Sequence, residues 1–221
     1  MMRKLITVII ATLILSLSGS LVARGGSYSL EAENGKINAP AGLGFEVKTN
    51  FRDEQNFSFA SIPVTAKLSY GIRPSVTISG EVSRNGEEDP RMLLKGYYSP
   101  SRSSLGYTAY LGYDFSAAEI PMYGVSVWLA SDQLYGFINF EADQAADDTA
   151  LTVTPGVNFG LGSKIRLAGE VGYDIINKGY KEVRLGASYE LVDNFNIKIG
   201  VAAGFEEDAE RVYTTGLAME I

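Results

Sequence analysis

From about residue 42 to the end of the chain, apolar and polar residues take turns. The cleanest stretch sets Val64, Ala66, Leu68, Tyr70 and Ile72 against Thr65, Lys67, Ser69, Gly71 and Arg73. Successive side chains of a β-strand point to opposite faces, so a period of two marks a strand with one apolar and one polar face. The same alternation sets Leu105, Tyr107, Ala109, Leu111 and Tyr113 against Gly106, Thr108, Tyr110, Gly112 and Asp114. It recurs in Val183, Leu185, Ala187, Tyr189 and Leu191 against Glu182, Arg184, Ser188 and Glu190. Counted through, the pattern predicts about twelve strands, with ten as the alternative count. They lie near 42–49, 58–73, 75–84, 91–98, 104–115, 122–131, 134–142, 150–161, 164–175, 181–191, 195–205 and 211–221. The stretch from Leu134 to Phe140 is the least regular, being apolar on both faces. Pro63 and Pro155 fall inside these spans, where proline removes a ladder hydrogen bond, so each predicts a bulge or a strand that starts later.

Short connections such as Arg73-Pro74, Gly162-Ser163 and Asp193-Asn194 alternate with longer, acidic ones: Asn50 to Asn56, Asn85 to Pro90, Asp143 to Asp148 and Glu206 to Glu210. Consecutive strands joined in this way form an antiparallel meander, and one this long must close on itself or leave its edges exposed. The expected fold class is all-β, a closed antiparallel up-and-down barrel.

Ahead of the strands, the chain opens with Met1-Met2-Arg3-Lys4, runs apolar from Leu5 to Leu17 and leaves through small residues between Ser18 and Ala23. A basic start, an apolar run and a small-residue exit are the parts of a secretory signal peptide, here residues 1–23. The run is shorter than the ~20 residues a helix needs to cross hydrocarbon, which disfavours a retained anchor. Removing Arg3 and Lys4 from the 19 basic residues leaves 17 against 26 acidic ones, so the mature chain carries −9 where the full chain carries −7.

Alternation alone leaves open whether the apolar face points into a core or out into lipid. The aromatic residues discriminate. Tyr70, Tyr98, Phe159, Tyr189 and Phe195 fall near the short-turn ends of their strands. Tyr113, Phe115, Tyr123, Tyr173, Phe205 and Tyr213 fall near the other ends, all on the apolar face. Two girdles of this kind mark the two membrane–water interfaces of a transmembrane barrel. A soluble, lipocalin-like barrel, with the apolar face inside, is the alternative.

With signal, girdles and asymmetric connections together, the chain resembles a bacterial outer-membrane β-barrel protein of the porin-like kind over nearly everything after residue 40. The final residues Tyr213, Leu217, Met219 and Ile221 resemble the closing signature of that class, with Ile221 where a terminal phenylalanine is usual and Thr215 interrupting the alternation. The resemblance implies export to the bacterial cell outer membrane and residues 41–221 as the transmembrane barrel. Residues 24–40 become a short periplasmic N-terminal segment. The implied partners are outer-membrane lipid, the barrel-assembly machinery acting through the C-terminal strand, and small hydrophilic solutes.

Composition narrows the chemistry. The chain has no cysteine and no histidine, which removes thiolate zinc sites, thiol nucleophiles and the commonest general base. No cofactor or metal is expected, and no enzymatic activity, since barrel enzymes acting on lipid rely on histidine. An acidic chain also lacks the basic face that nucleic acid requires.

What remains is the polar face. Pairing strands through their connections places Lys67 opposite Glu81, Glu81 opposite Lys95, Glu170 near Arg184, Arg166 near Glu190, and Glu190 and Glu220 near Lys198. Cross-strand neighbours sit about 4.5–5.5 Å apart at Cβ, close enough to bond. Such a ladder either neutralises buried charge along the wall or lines a pore with a transverse field that sorts solutes. Glycines on this face (Gly106, Gly112, Gly172, Gly186, Gly200, Gly204 and Gly216) are expected to leave the lumen room. The functional expectation is a passive small-solute channel with a charge-lined lumen. The alternative is a structural or surface-interaction barrel with a plugged lumen and no transport.

Overall fold

The structure, a computed structural model, describes residues 41–52, 62–84, 90–100, 104–115, 121–131, 133–145, 148–205 and 211–221, with the side chains of Arg52 and of 143–150 excepted. The expected signal peptide and the segment 24–40 lie outside the described residues. The alternating stretches form β1 (Leu43–Arg52), β2 (Val64–Arg73), β3 (Val76–Arg84), β4 (Arg91–Tyr98), β5 (Leu105–Asp114) and β6 (Pro121–Ala130). They continue as β7 (Leu134–Ala145), β8 (Asp148–Leu161), β9 (Ile165–Asp174), β10 (Gly179–Val192), β11 (Phe195–Gly204) and β12 (Arg211–Glu220). Each strand pairs antiparallel with its neighbours in sequence, and β1 pairs with β12, so the sheet is a closed barrel without a free edge.

The interior is polar and the exterior apolar. Thr77, Thr108, Asp114, Ser126 and Glu170 are buried on the inner face, while Leu68, Ile78, Leu111, Val127, Ile138 and Leu185 stand exposed outside. This inverts a soluble barrel and rules out the lipocalin-like arrangement. Outer aromatics cluster toward the ends: Tyr180 touches Tyr173 and Phe205, each with ring centroids 5.2 Å apart, and Tyr113 meets Phe115 at 4.9 Å.

The register sets the size of the barrel. Stepping across the strands from Gly44, the path runs through Ser69, Ser79, Lys95, Gly112, Met122 and Asp143 to Ala150. Six residues further along β8, it resumes from Gly156 through Glu170, Arg184, Ala202 and Val212 to Arg52, eight residues beyond its start on β1. Six and eight make a shear of 14 for twelve strands. With strands spaced about 4.8 Å apart and rising about 3.3 Å per residue, this shear tilts them by about 40° and gives a backbone diameter of about 24 Å. A ten-residue strand at that tilt rises about 25 Å, the height of the apolar band of an outer-membrane barrel.

Three local features differ from simple alternation. Pro63 lies just before β2 and so outside the ladder, and its carbonyl accepts a bond from Thr49 Oγ1 at 2.7 Å. Pro155 lies inside β8 without the expected bulge. Thr154 and Pro155 lack bridges to β9, yet the register is the same on both sides of the gap, Val153 opposite Tyr173 and Gly156 opposite Glu170. The acidic stretch Asp143 to Asp148, expected as a long loop, is mostly strand: Asp143 pairs with Ala150 and Ala145 with Asp148. A ladder ends where backbone pairing ends, and polar side chains do not stop it once the strands leave the apolar band.

Candidate functional site

The candidate site is the inner wall. Alternation puts every second residue of each strand on it, so a side chain's neighbours are its register partners on the two flanking strands and the residues two positions along. The wall has two halves of different character. β9 to β12, with β1 and β2, carry charged side chains among glycine and small residues; β4 to β8 carry large aromatics among small polar groups.

On the charged half, Arg184 of β10 faces Glu170 of β9 in register, with Nη1 3.5 Å from Glu170 Oε2, and its Nη2 bonds Glu182 on its own strand. Lys198 of β11 donates to Glu46 of β1 at 2.8 Å. These two strands flank β12, where Lys198 lies opposite Gly216 and Glu46 opposite Ala218, so small residues on β12 let the lysine cross it. Glu46, Lys67 and Glu81 lie side by side in register on β1, β2 and β3. Arg166, Glu190 and Glu220 come together with Asn194 and Asn196 around a small cleft at the short-turn mouth.

Some sequence-derived pairings hold in register and others shift. Lys67 faces Glu81, and Glu170 faces Arg184. Lys95 stands opposite Ser79, while Glu81 stands opposite Leu93. The carboxylate near Lys95 belongs instead to Glu141, 4.0 Å away, which also accepts a bond from the Tyr110 hydroxyl. Arg166 and Lys198 both stand opposite Ser188, not Glu190, and Lys198 faces Gly216 on its other side, four positions from Glu220. Each shift is one pair along the strand or more, which keeps a charge on the inner face but changes its partner.

The aromatic half was not foreseen as such. Tyr97, Tyr110, Trp128, Tyr135 and Phe137 all point inward. Tyr97 and Tyr110 have centroids 5.9 Å apart, and Lys67 and Lys95 ammonium groups sit 5.5 and 5.1 Å from those two rings. Trp128 stacks on Tyr135 at 6.1 Å and 22°, and Tyr135 tilts against Phe137 at 5.9 Å. The signal was present in parity: Tyr135, Phe137, Asn139 and Glu141 share one face of β7, opposite Leu134, Ile138 and Phe140. Beside these rings, Ser126 Oγ, Trp128 Nε1 and Asn139 Oδ1 are buried without a hydrogen-bond partner among the described residues. Groups of that kind are ordinarily satisfied by ordered water.

The inner-face glycines correct one expectation. A Cβ on Gly112 would lie 2.8 Å from Lys95 Cγ, and one on Gly216 would lie 3.2 Å from Lys48 Cβ. Above Gly112 the space is taken up by the Lys95 side chain; at Gly216 the nearest atom is the backbone oxygen of Val47 at 2.9 Å, and at Gly172 nothing comes closer than Lys181 Cβ at 3.6 Å. Close packing along the wall fills what the missing side chain leaves.

No protein-family model matches the chain, and no curated protein matches it. Among solved structures, the KdgM porin in complex with disordered oligogalacturonate is similar over 80% of this chain and 98% of its own, with TM-score 0.69 and 11% identity. The NanC porin is similar over 79% and 98%, with TM-score 0.64 and 13% identity. The Acinetobacter baumannii outer membrane protein Omp33 is similar over 86% and 100%, with TM-score 0.53 and 7% identity. At such identities the likeness is one of architecture: the chain has the closed twelve-strand barrel fold of outer-membrane porins.

Proposed function

We propose that the protein is a passive channel for small hydrophilic solutes in the bacterial outer membrane. In this reading residues 1–23 direct export and are removed, and β12 carries the contact with the assembly machinery. The observation that supports it best is the size of the ring. Twelve strands at a shear of 14 give about 24 Å between opposing backbones, against eight-stranded barrels whose interiors side chains fill. Three of the inward rings, Tyr97, Tyr110 and Phe137, are buried along the wall, an arrangement that favours a clear axis.

The charges then line the pore. Lys198 with Glu46, Arg184 with Glu170 and Lys95 with Glu141 cancel pairwise, so the wall presents opposed charges and no cationic excess. Acidic residues dominate the connections at one end, with Glu87, Glu88 and Asp89 between β3 and β4, and Glu206, Glu207 and Asp208 between β11 and β12. The oligogalacturonate bound by the KdgM porin is a polyanion; this wall suits neutral or cationic solutes better.

Single-channel recording in planar bilayers tests the reading. Discrete open steps in KCl are expected, with a reversal potential in a salt gradient that favours K⁺ over Cl⁻. Complete silence from a folded, protease-resistant barrel overturns it in favour of a structural barrel with a plugged lumen. An anion-favouring reversal potential overturns the charge assignment alone.

A further inference from the structure

Three large inward side chains share one arrangement. Lys95 of β4 faces Gly112 of β5, Tyr110 of β5 faces Gly124 of β6, and Phe137 of β7 faces Gly156 of β8. In each case the glycine is the direct register partner on the following strand. In each case a Cβ placed on it would collide with that side chain: with Lys95 Cγ at 2.8 Å, Tyr110 Cζ at 2.5 Å, and Phe137 Cε1 and Cε2 at 2.6 and 2.9 Å. Real Cβ atoms do not approach within 3 Å, so all three side chains occupy room that only glycine leaves. They lean sideways across the neighbouring strand and lie along the wall.

Phe137 is the cleanest of the three. At Gly124 a Cβ would also collide with the backbone oxygen of Phe140, and at Gly112 it would lie 3.2 Å from the backbone oxygen of Leu94. At Gly156 the three nearest heavy atoms all belong to the Phe137 ring. Phe137 is only 4% exposed. On its other side stands Tyr135, itself stacked on Trp128. Tyr135 stands behind the ring and the strand backbone lies beneath it, so a ring expelled from Gly156 is expected to move toward the barrel axis.

We infer that Gly156 is a width-determining residue of the pore: it seats Phe137 against the wall and so sets the free cross-section on the β6–β8 side. The inference rests on the channel reading. With inward side chains occupying about 6 Å of each wall, the about 24 Å backbone diameter leaves a lumen about 12 Å across. A phenyl ring swung into it presents an area of roughly 20–30 Å², or about one-fifth of that section. The effect grows with solute size, since a large solute loses a route that a small ion keeps.

The test uses the refolded protein in planar bilayers with about 1 M KCl, where the Debye length is about 3 Å, and compares Gly156→Ala, Phe137→Ala and the double variant. Gly156→Ala should lose about one-fifth of the single-channel conductance, and adding Phe137→Ala should restore it to at least the starting value. A folded Gly156→Ala that conducts as the parent does, or a double variant as narrow as Gly156→Ala, overturns the inference. If Gly156→Ala does not fold, judged by heat-modified gel mobility, Phe137→Trp overfills the same seat with the glycine intact and carries the same expectation and the same refutation. Trp128 is the only tryptophan and faces Phe137 in register, so the emission of Gly156→Ala reports ring displacement without any current. A silent parent with shifted emission in Gly156→Ala means that the channel reading has failed and the width role with it. A conducting parent with unchanged emission and conductance means that the seat itself was wrong.

Discussion

Arg184→Met is the substitution whose cost follows most directly from the structure. It keeps the aliphatic stem and deletes a charge that sits 3.5 Å from Glu170, whose side chain is fully buried while that of Arg184 is 18% exposed. At that distance and an effective dielectric of about 20, the attraction between the two charges is about 5 kcal/mol before desolvation is subtracted. Removing one partner of a buried pair typically costs about 3–5 kcal/mol, because the remaining charge stays buried without its counter-charge. In the channel reading the wall borders an aqueous space on one side, which places the expected loss near the lower end, about 3 kcal/mol. Glu170→Gln is a milder change, since Arg184 keeps its bond to Glu182, and about 1 kcal/mol is expected. The double variant Arg184→Met, Glu170→Gln should recover at least half of the Arg184→Met loss, as neither charge is then left behind. Urea unfolding from lipid vesicles, followed through the emission of Trp128, measures all three. An Arg184→Met barrel within about 0.5 kcal/mol of the parent, or a Glu170→Gln barrel that loses as much as Arg184→Met, would refute the reasoning.

Two further outcomes are expected. Lys95→Glu sets a carboxylate beside Glu141 and should destabilise the barrel by about 1–3 kcal/mol; adding Glu141→Lys should restore it, whereas adding Glu81→Lys should not, as read from heat-modified mobility and urea midpoints. Rescue by Glu81→Lys in place of Glu141→Lys would show the β3–β4 register to be wrong. Pro155→Val should stabilise by about 1 kcal/mol: Ile175 N donates to Leu151 O at 2.9 Å, so by alternation position 155 faces Val171 in a hydrogen-bonding pair, and valine restores the missing donor. An unchanged or lower urea midpoint would mean that the gap opposite Thr154 and Pro155 has some other cause.

The residues themselves explain why strands were legible and partners were not. Which face a side chain takes depends only on parity, a strictly local property, and so Lys67, Lys95, Arg166 and Glu220 could be set on one face by counting in twos. Which charge a side chain meets depends on register, and register is transmitted through connections. The tight turn at Pro74 leaves little freedom, and Lys67 meets Glu81 as expected. The connection between β3 and β4 is longer, and a slide of a single pair there exchanges Glu81 for Ser79 opposite Lys95 without moving any residue to the other face. The bulge at Lys181 in β10 breaks even the parity rule locally, setting Tyr180 outside and Glu182 inside although both are even-numbered. Lys198 and Glu46 lie 152 positions apart and become neighbours only because the ring closes through β12.

The glycines carry the same distinction one step further. Parity places Gly112 on the inner face, and from that alone it reads as empty space in the lumen; Gly156 shares that face. Register puts Lys95 and Phe137 directly opposite them, and geometry then fills the space above each glycine with the neighbour's side chain. The room that a glycine yields is thus spent at the wall, and the axis benefits only indirectly, because a bulky side chain that lies along the sheet does not stand out from it. A ring such as Phe137 is therefore compatible with an open lumen, and its apolar character on an otherwise polar face, which made β7 the hardest strand to read, follows from the surface it covers: the backbone of Gly156, where water would otherwise sit.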